Sequence, residues 1–435
     1  MCEKTTGTIV AAHARECSDT ICPAPISIRT ASVAWVIAAV FHFYQYVLRS
    51  APSVMMPHLS DAFGLSALAL ASMVGIFYWG YSLFSLAAGA SLDRLGPRRV
   101  VPIGAAVAGI GALAFATGNS SVGSIGRLLQ GAGGVFAPVG AIYIALKYFP
   151  PSQAATLIGA TQMFGMAGGA VGQIAVGRLI SKGLSWNRFW IGMGVAGLTL
   201  AALLLILLPK QAQSEETARN WRSSADAFYS VFRNPQSILC GLIAGLLFIP
   251  TTIFDMVWGV RYLQEAHALD YASAILRSAT VPAGWIIGCP LVGFISDRLG
   301  RRKPVVIGGA VVLLACMAWI LFGKIGVFPA YSIGLVAGLA SGAAMLPYTI
   351  IKEANAAQFG GTATGVVTFL NFTFSALLGP VFAWILHYFS GGNPQRTAAH
   401  YQLAFAPLLI GIIAAILLAV CLRETGPAVQ TTSSS

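Results

Sequence analysis

The chain has 435 residues, of which 57% are hydrophobic and only 9% charged, a balance that leaves too little polar surface to cover a water-soluble fold of this size. A net charge of +12 would suit nucleic acid if the basic residues were clustered, but they fall in short polar segments between apolar runs, which argues against that role. A polytopic membrane protein is what remains, since about 20 apolar residues cross a hydrocarbon core about 30 Å thick.

In chain order, residues 1–31 hold no continuous apolar run and are expected to form a cytosolic tail, in which the two cysteines Cys17 and Cys22 are too few for a zinc site and are read as reduced thiols. Six apolar segments follow at 32–56, 69–91, 99–118, 121–146, 153–181 and 187–208, forming a first half over 32–208. The glycines Gly165, Gly168, Gly169 and Gly172 in the fifth mark a close helix interface. A polar stretch, 209–235, with Lys210, Glu215, Glu216, Arg219 and Arg222, is the expected cytosolic linker. Six more segments, 236–265, 271–295, 303–323, 328–352, 359–388 and 400–422, form a second half over 236–422, and 423–435 is a short cytosolic tail. The expected fold is therefore an all-α membrane protein of twelve transmembrane helices in two pseudo-symmetric six-helix bundles.

Charge placement sets the orientation. If the N-terminus is cytosolic, 17 of the 26 lysines and arginines lie in cytosolic segments or at the adjoining helix ends, which puts both termini on that side.

The halves also repeat. Gly89-Ala-Ser-Leu-Asp93-Arg94-Leu95-Gly96-Pro97-Arg98-Arg99 returns 204 residues later as Gly293-Phe-Ile-Ser-Asp297-Arg298-Leu299-Gly300-Arg301-Arg302-Lys303. Parallel repeats of this kind place a substrate site near the membrane midplane, between them.

This twice-present signature resembles motif A of the major facilitator superfamily. Arg127-Leu-Leu-Gln130-Gly131-Ala-Gly133 resembles that superfamily's motif B, and Glu353 with Gly361-Thr-Ala-Thr-Gly365 resembles its connection between helices 10 and 11. Tyr44-Gln-Tyr46-Val-Leu-Arg49-Ser50 and Phe77-Tyr-Trp79-Gly80-Tyr81 are most similar to the organic anion:cation symporter and organophosphate antiporter branches. Two departures narrow this. The seventh helix lacks a second arginine near Ile249–Asp255, which disfavours a divalent phosphate ester, and Leu48 stands where those symporters often carry an acid. The resemblance implies a bacterial inner-membrane secondary transporter that works by alternating access.

Individual residues can then be weighed. Arginine deep in a span is costly, about 2.5–3.5 kcal/mol on insertion scales, so Arg49 either binds a substrate carboxylate through its planar fork or snorkels and caps carbonyls near Ser50 and Pro52. Asp255 is the one acid deep in a span and falls at a depth comparable to Arg49 in the equivalent helix. It is a proton carrier, a static neutraliser of Arg49, which it could meet across the cavity, or a water-facing residue at a bend after Pro250. Arg127 contributes to proton transfer, as motif B implies, or packs against helix carbonyls. Tyr46, Tyr81 and Trp258 are candidate cavity-lining aromatics.

The gating set is Gly89, Asp93, Arg94, Gly96, Arg98, Gly293, Asp297, Arg298, Gly300, Arg302 and Glu353, with Glu353 beside Lys352 poised to pair with the motif A arginines. His42 and His58 are lone histidines expected to be satisfied polar groups. No triad, metal spacing or nucleotide loop is present, so neither an enzyme nor a cofactor or metal is implied. The expected partners are a small anionic substrate, protons and the lipid bilayer, with the chain acting as a monomer. The functional expectation is proton-coupled uptake of a small organic anion. Export of an amphipathic metabolite or drug by proton antiport is the alternative.

Overall fold

Twelve helices long and apolar enough to cross a membrane are present among the residues described by the computed structural model, which are 27–149, 151–209, 221–323, 327–355, 360–391 and 396–425. Spans 1 to 6 are Ile28–Val54, Ala67–Leu92, Pro97–Phe115, Ser120–Ala145, Gly159–Ser181 and Trp186–Leu207. Spans 7 to 12 are Pro235–His267, Tyr271–Leu299, Lys303–Phe322, Tyr331–Glu353, Gly361–Phe389 and Ala398–Cys421. Each corresponds to one expected segment, and no strand occurs among the described residues. The expected linker contains a helix, Trp221–Arg233, whose Phe232 ring lies 6.3 Å from that of Phe369 in span 11. Residues 210–220 of that linker lie outside the described residues, as do the side chains of Asp93 and Arg94.

Small polar residues start the helices where the backbone would otherwise leave N–H groups without acceptors. Asn119 accepts from Ser121 and Val122 at 3.1 Å each at the head of span 4. Ser66 and Ser185 serve spans 2 and 6 in the same way.

Spans 6, 9 and 12 are the least buried and turn Leu205, Ile206, Trp319, Phe322, Ile410 and Leu417 outward, as helices facing lipid must. The inner spans approach through small residues, since lipid supplies no hydrophobic drive for helix association. A side chain added at Gly131 would collide with the Phe77 carbonyl, and one at Gly80 with that of Leu128, so spans 2 and 4 touch backbone to backbone. Gly168 and Gly172 allow span 5 the same approach to span 1. Between the halves, span 2 packs on span 11 and span 5 on span 8.

The repeated motif ends spans 2 and 8 at glycines that no other residue replaces without strain. Gly300 has φ 63 and ψ 12, an ordinary left-handed cap. Gly96 has φ 72 and ψ 163, a region essentially confined to glycine. Gly300→Ala should therefore cost about 1 kcal/mol and Gly96→Ala about 1–3 kcal/mol. Thermal melting of the detergent-purified protein measures both, and equal losses would contradict the difference in backbone geometry.

Candidate functional site: a central cavity above a buried arginine

Spans 1, 2, 4 and 5 of the first half face spans 7, 8, 10 and 11 of the second around a cavity of about 630 Å³, within the usual size of ligand sites. Its walls reach Gly293, Asp297, Arg302 and Lys352 at the motif end. There a side chain added at Gly159 or Gly293 would meet no atom within 4 Å. The opposite end is closed by bonds between the halves: Tyr271 donates to the Val54 carbonyl, Tyr78 to that of Thr252 at 3.1 Å, and Gln173 to Ser278 at 3.1 Å. The cavity is thus open toward the motifs and sealed away from them.

Arg49 lies directly behind the cavity wall. Tyr46, Tyr81 and Phe372 line the space, and their ring centroids stand 4.3, 4.8 and 4.9 Å from the guanidinium carbon. Phe77 and Tyr78 complete the enclosure at 5.2 and 5.8 Å. Ring faces stabilise a cation but accept few hydrogen bonds. Nη2 donates to Gln45 Oε1 over a long 3.4 Å, while Nε and Nη1 are buried with no acceptor.

The expected meeting of Arg49 and Asp255 does not occur. Among the described residues the ion pairs are Arg261–Glu265, Arg302–Asp297, Arg302–Glu353 and Arg396–Glu265. Pro250 removes a backbone donor from span 7, and the helix widens to π geometry over Pro250–Gly259. This segment does contact the 3-10 turn Ala51–Val54 that follows Arg49, so the two breaks meet although the two charges do not pair. Asp255 Oδ1 instead accepts from Ser278 Oγ at 2.9 Å. Oδ2 is buried without a partner, and the residue lines a separate pocket of about 40 Å³ with Tyr262, His267 and Arg277.

The remaining candidates divide by location. Tyr46 and Tyr81 are on the cavity wall, as expected. Trp258 is not among the cavity-lining residues; its ring packs 5.9 Å from that of Phe382, with the Arg396 guanidinium 5.8 Å away. Arg127 donates to the carbonyls of Leu48 at 3.0 Å and Val74 at 3.2 and 3.3 Å, and to Gln130 Oε1 at 2.5 Å. That geometry is the packing alternative of its two readings, tying spans 1, 2 and 4 together.

At the motif end, Arg302 joins Asp297 to Glu353, the latter at 3.2 Å, and donates to Ser296 at 3.0 Å. Its backbone N–H reaches Glu424 at 2.6 Å, and Thr425 donates to Glu353 at 2.7 Å. Burial works against the Arg302 charge, but the bond with Asp297 and the charge of Glu353 outweigh it and hold the guanidinium protonated above its ordinary range. All these groups belong to the second half or to the tail that follows it. Arg98 similarly donates to the Leu208 carbonyl within the first half, at 2.6 Å. Arg298 is exposed over Phe294, and Gly89 abuts the Gly361 carbonyl of span 11. Glu353 pairs with a motif arginine as expected, whereas Lys352 lines the cavity and forms no ion pair among the described residues.

Sequence reasoning passed over Gln45, Gln162, Tyr348 and Asn371, and gave His42 no place in the cavity. His42 is hydrogen-bonded, as expected of a satisfied histidine, yet it stands on the cavity wall. Thr364, Thr368 and Asn371, also wall residues, recur at intervals of four and three in an apolar helix. That polar stripe on one face was a readable signal.

The profile of the Major Facilitator Superfamily matches residues 38–380. A hexuronate transporter of Bacillus subtilis (strain 168) is 28% identical over 287 residues, covering 62% of this chain and 66% of its own length, just under two thirds. A probable L-galactonate transporter of Escherichia coli (strain K12) is 22% identical over 393 residues, covering 85% of this chain and 80% of its own. Among solved structures, a bacterial homolog to the human lysosomal transporter Spinster matches in its inward-facing, occupied conformation. Its TM-score is 0.67 at 15% identity, covering 91% of this chain and 97% of that one. The inward-facing, unoccupied conformation gives 0.63 at 17%, covering 91% and 96%. These structural likenesses concern the fold alone.

Proposed function

Because the chain belongs to the Major Facilitator Superfamily, we propose that it is a secondary transporter that takes up a small organic anion, of the sugar-acid size and charge, together with protons. The single observation that carries this reading is Arg49: a buried cation beneath the floor of a large cavity, with two of its three guanidinium nitrogens lacking any acceptor. Such a group is costly unless something completes it. A carboxylate does so in the geometry a guanidinium prefers, two parallel N–H···O bonds.

The likeness to relatives described as transporters of hexuronate and L-galactonate supports a carboxylate carried on a polar body. Tyr46 and Tyr81 offer hydroxyls and ring faces to that body, and Asn371 adds an amide on the opposite wall. Lys352, at the mouth, draws the anion in. The termini and both motif A turns lie in the cytosol on this reading, so the open end of the cavity is the release side. Asp297, Arg302 and Glu353 form the second-half part of an inner gate, with Gly89, Gly96 and Arg98 in the first. Asp255, the acid expected from its position in span 7 to carry a proton, is held in this conformation away from the cavity.

A thermal-shift screen of the purified protein tests the reading. D-glucuronate and L-galactonate at 100 times their dissociation constants should stabilise it by about 2.7 kcal/mol, whereas the corresponding neutral sugars should not. Equal stabilisation by neutral sugars, or by none of the acids, would overturn it.

A further inference from the structure

We propose that His42 carries the coupling proton, and that Gln45 is the positioning residue that ties its protonation to anion binding at Arg49. The inference rests on the reading of Arg49 as the anion anchor and assigns the other half of the coupling. His42 lines the central cavity, so its access alternates with that of the substrate, and Asp255 does not share that wall.

The hydrogen-bond polarity of the chain can be worked out from its one fixed end. Arginine only donates, so the atom of Gln45 that faces Arg49 is Oε1, at 3.4 Å. The amide nitrogen of Gln45 then faces His42 Nδ1, at 3.2 Å, and Nδ1 must be the acceptor. The imidazole hydrogen is therefore on Nε2, which donates to Gln162 Oε1 at 2.8 Å. Gln162 passes the polarity on to Met345 Sδ of span 10, at 3.2 Å. His42 in this chain is neutral, and every member has one consistent role.

Protonation breaks that consistency. When Nδ1 takes a proton from cavity water, both ring nitrogens donate, and the amide N–H of Gln45 can no longer face it. Gln45 must turn its amide over, presenting Oε1 to Nδ1–H and its NH₂ to Arg49. Arg49 then loses its hydrogen-bond acceptor and gains a second positive charge nearby. An anion relieves both. Proton and anion binding consequently reinforce one another, and by linkage the anion holds the proton on His42 until it departs, when the proton returns to water.

The charged and titratable groups around His42 set the sign. On its own span they are Arg49 and Tyr46, whose ring lies edge-on at 5.1 Å. Across the cavity they are Tyr81 of span 2 and Tyr348 and Lys352 of span 10. Span 5 contributes Gln162 and the close backbone of Gly165. Of the acids, Asp297 alone reaches the cavity wall among the described residues, at the motif end where Arg302 pairs with it, so the charge that favours imidazolium has to come from the substrate.

The test is D-glucuronate binding to full-length protein by calorimetry between about pH 8 and pH 6, where an ordinary histidine titrates. Wild-type affinity should tighten by up to about tenfold per pH unit as pH falls, because one anion takes up one proton. His42→Gln, with His42→Asn as a second variant if the first folds poorly, should bind with one pH-independent affinity near the weak wild-type value at high pH. Gln45→Leu should also lose the slope although His42 is present, an effect that a purely structural role would not produce. A slope that persists in the His42 variants and vanishes in Asp255→Asn would overturn the assignment and leave anion transport standing. Absence of acid binding by the wild type would overturn both.

Discussion

Arg49→Lys should weaken carboxylate binding about 10- to 100-fold while leaving the fold intact. A hydrogen bond to a charged group contributes about 1.5–3 kcal/mol, and lysine, a point charge on a flexible stem, cannot reproduce the second bond of the planar fork. Arg49→Leu should abolish binding. It should also raise the melting temperature of the ligand-free protein, by the equivalent of about 1–3 kcal/mol, because it removes buried donors that have no acceptor. That opposite movement of affinity and stability separates an anchor from a structural residue, whose loss would lower both. Unchanged affinity in the lysine variant would eliminate the bidentate anchor. The assay is calorimetric titration with D-glucuronate beside a thermal melt.

Arg302→Gln should cost about 1–3 kcal/mol of stability and shift the protein away from the conformation open at the motif end. Arg302 holds Asp297, Glu353 and Ser296 through its side chain and Glu424 through its backbone. It thereby ties the ends of spans 8, 9 and 10 to the segment after span 12. Removing it leaves the carboxylates of Asp297 and Glu353 close together without their shared cation, and like charges repel. The penalty is moderated because Asp297 is largely exposed and water screens it. Cysteine pairs across spans 5 and 8 at the motif end, read by spin-label distances, report the shift. A variant with wild-type distances and a wild-type melt would reduce the network to a surface feature. Rescue by Arg302→Lys should be partial, since one ammonium cannot span the same set of acceptors.

Much of the architecture was legible because its causes are local. A span must be about 20 residues of apolar sequence whatever surrounds it. The duplicated motif announced the halves, and its glycines Gly96 and Gly300 turned out to sit at positive φ, a requirement visible in residue type alone. Arg49 stood out for the same reason, since charge in a span is expensive and therefore rare.

What sequence could not decide was direction around a helix and company across it. Arg49 and Asp255 share a depth in equivalent helices, which sequence spacing determined, but pairing also needs both side chains to face one space. The break that begins at Pro250 widens span 7 into a π-helix and sets Asp255 against Ser278, while Arg49 is enclosed by rings from spans 1, 2 and 11. Lone polar residues are equally ambiguous by type. His42, Gln45 and Gln162 become a directional chain only because span 5 packs against span 1 through glycine and brings Gln162 to the imidazole. Composition and periodicity fixed how many helices cross the membrane, where they turn and which charges had to matter. Only the packing of the two halves decided which of those charges share a cavity, because contacts between distant spans depend on helix rotation and close approach, and neither is encoded in spacing along the chain.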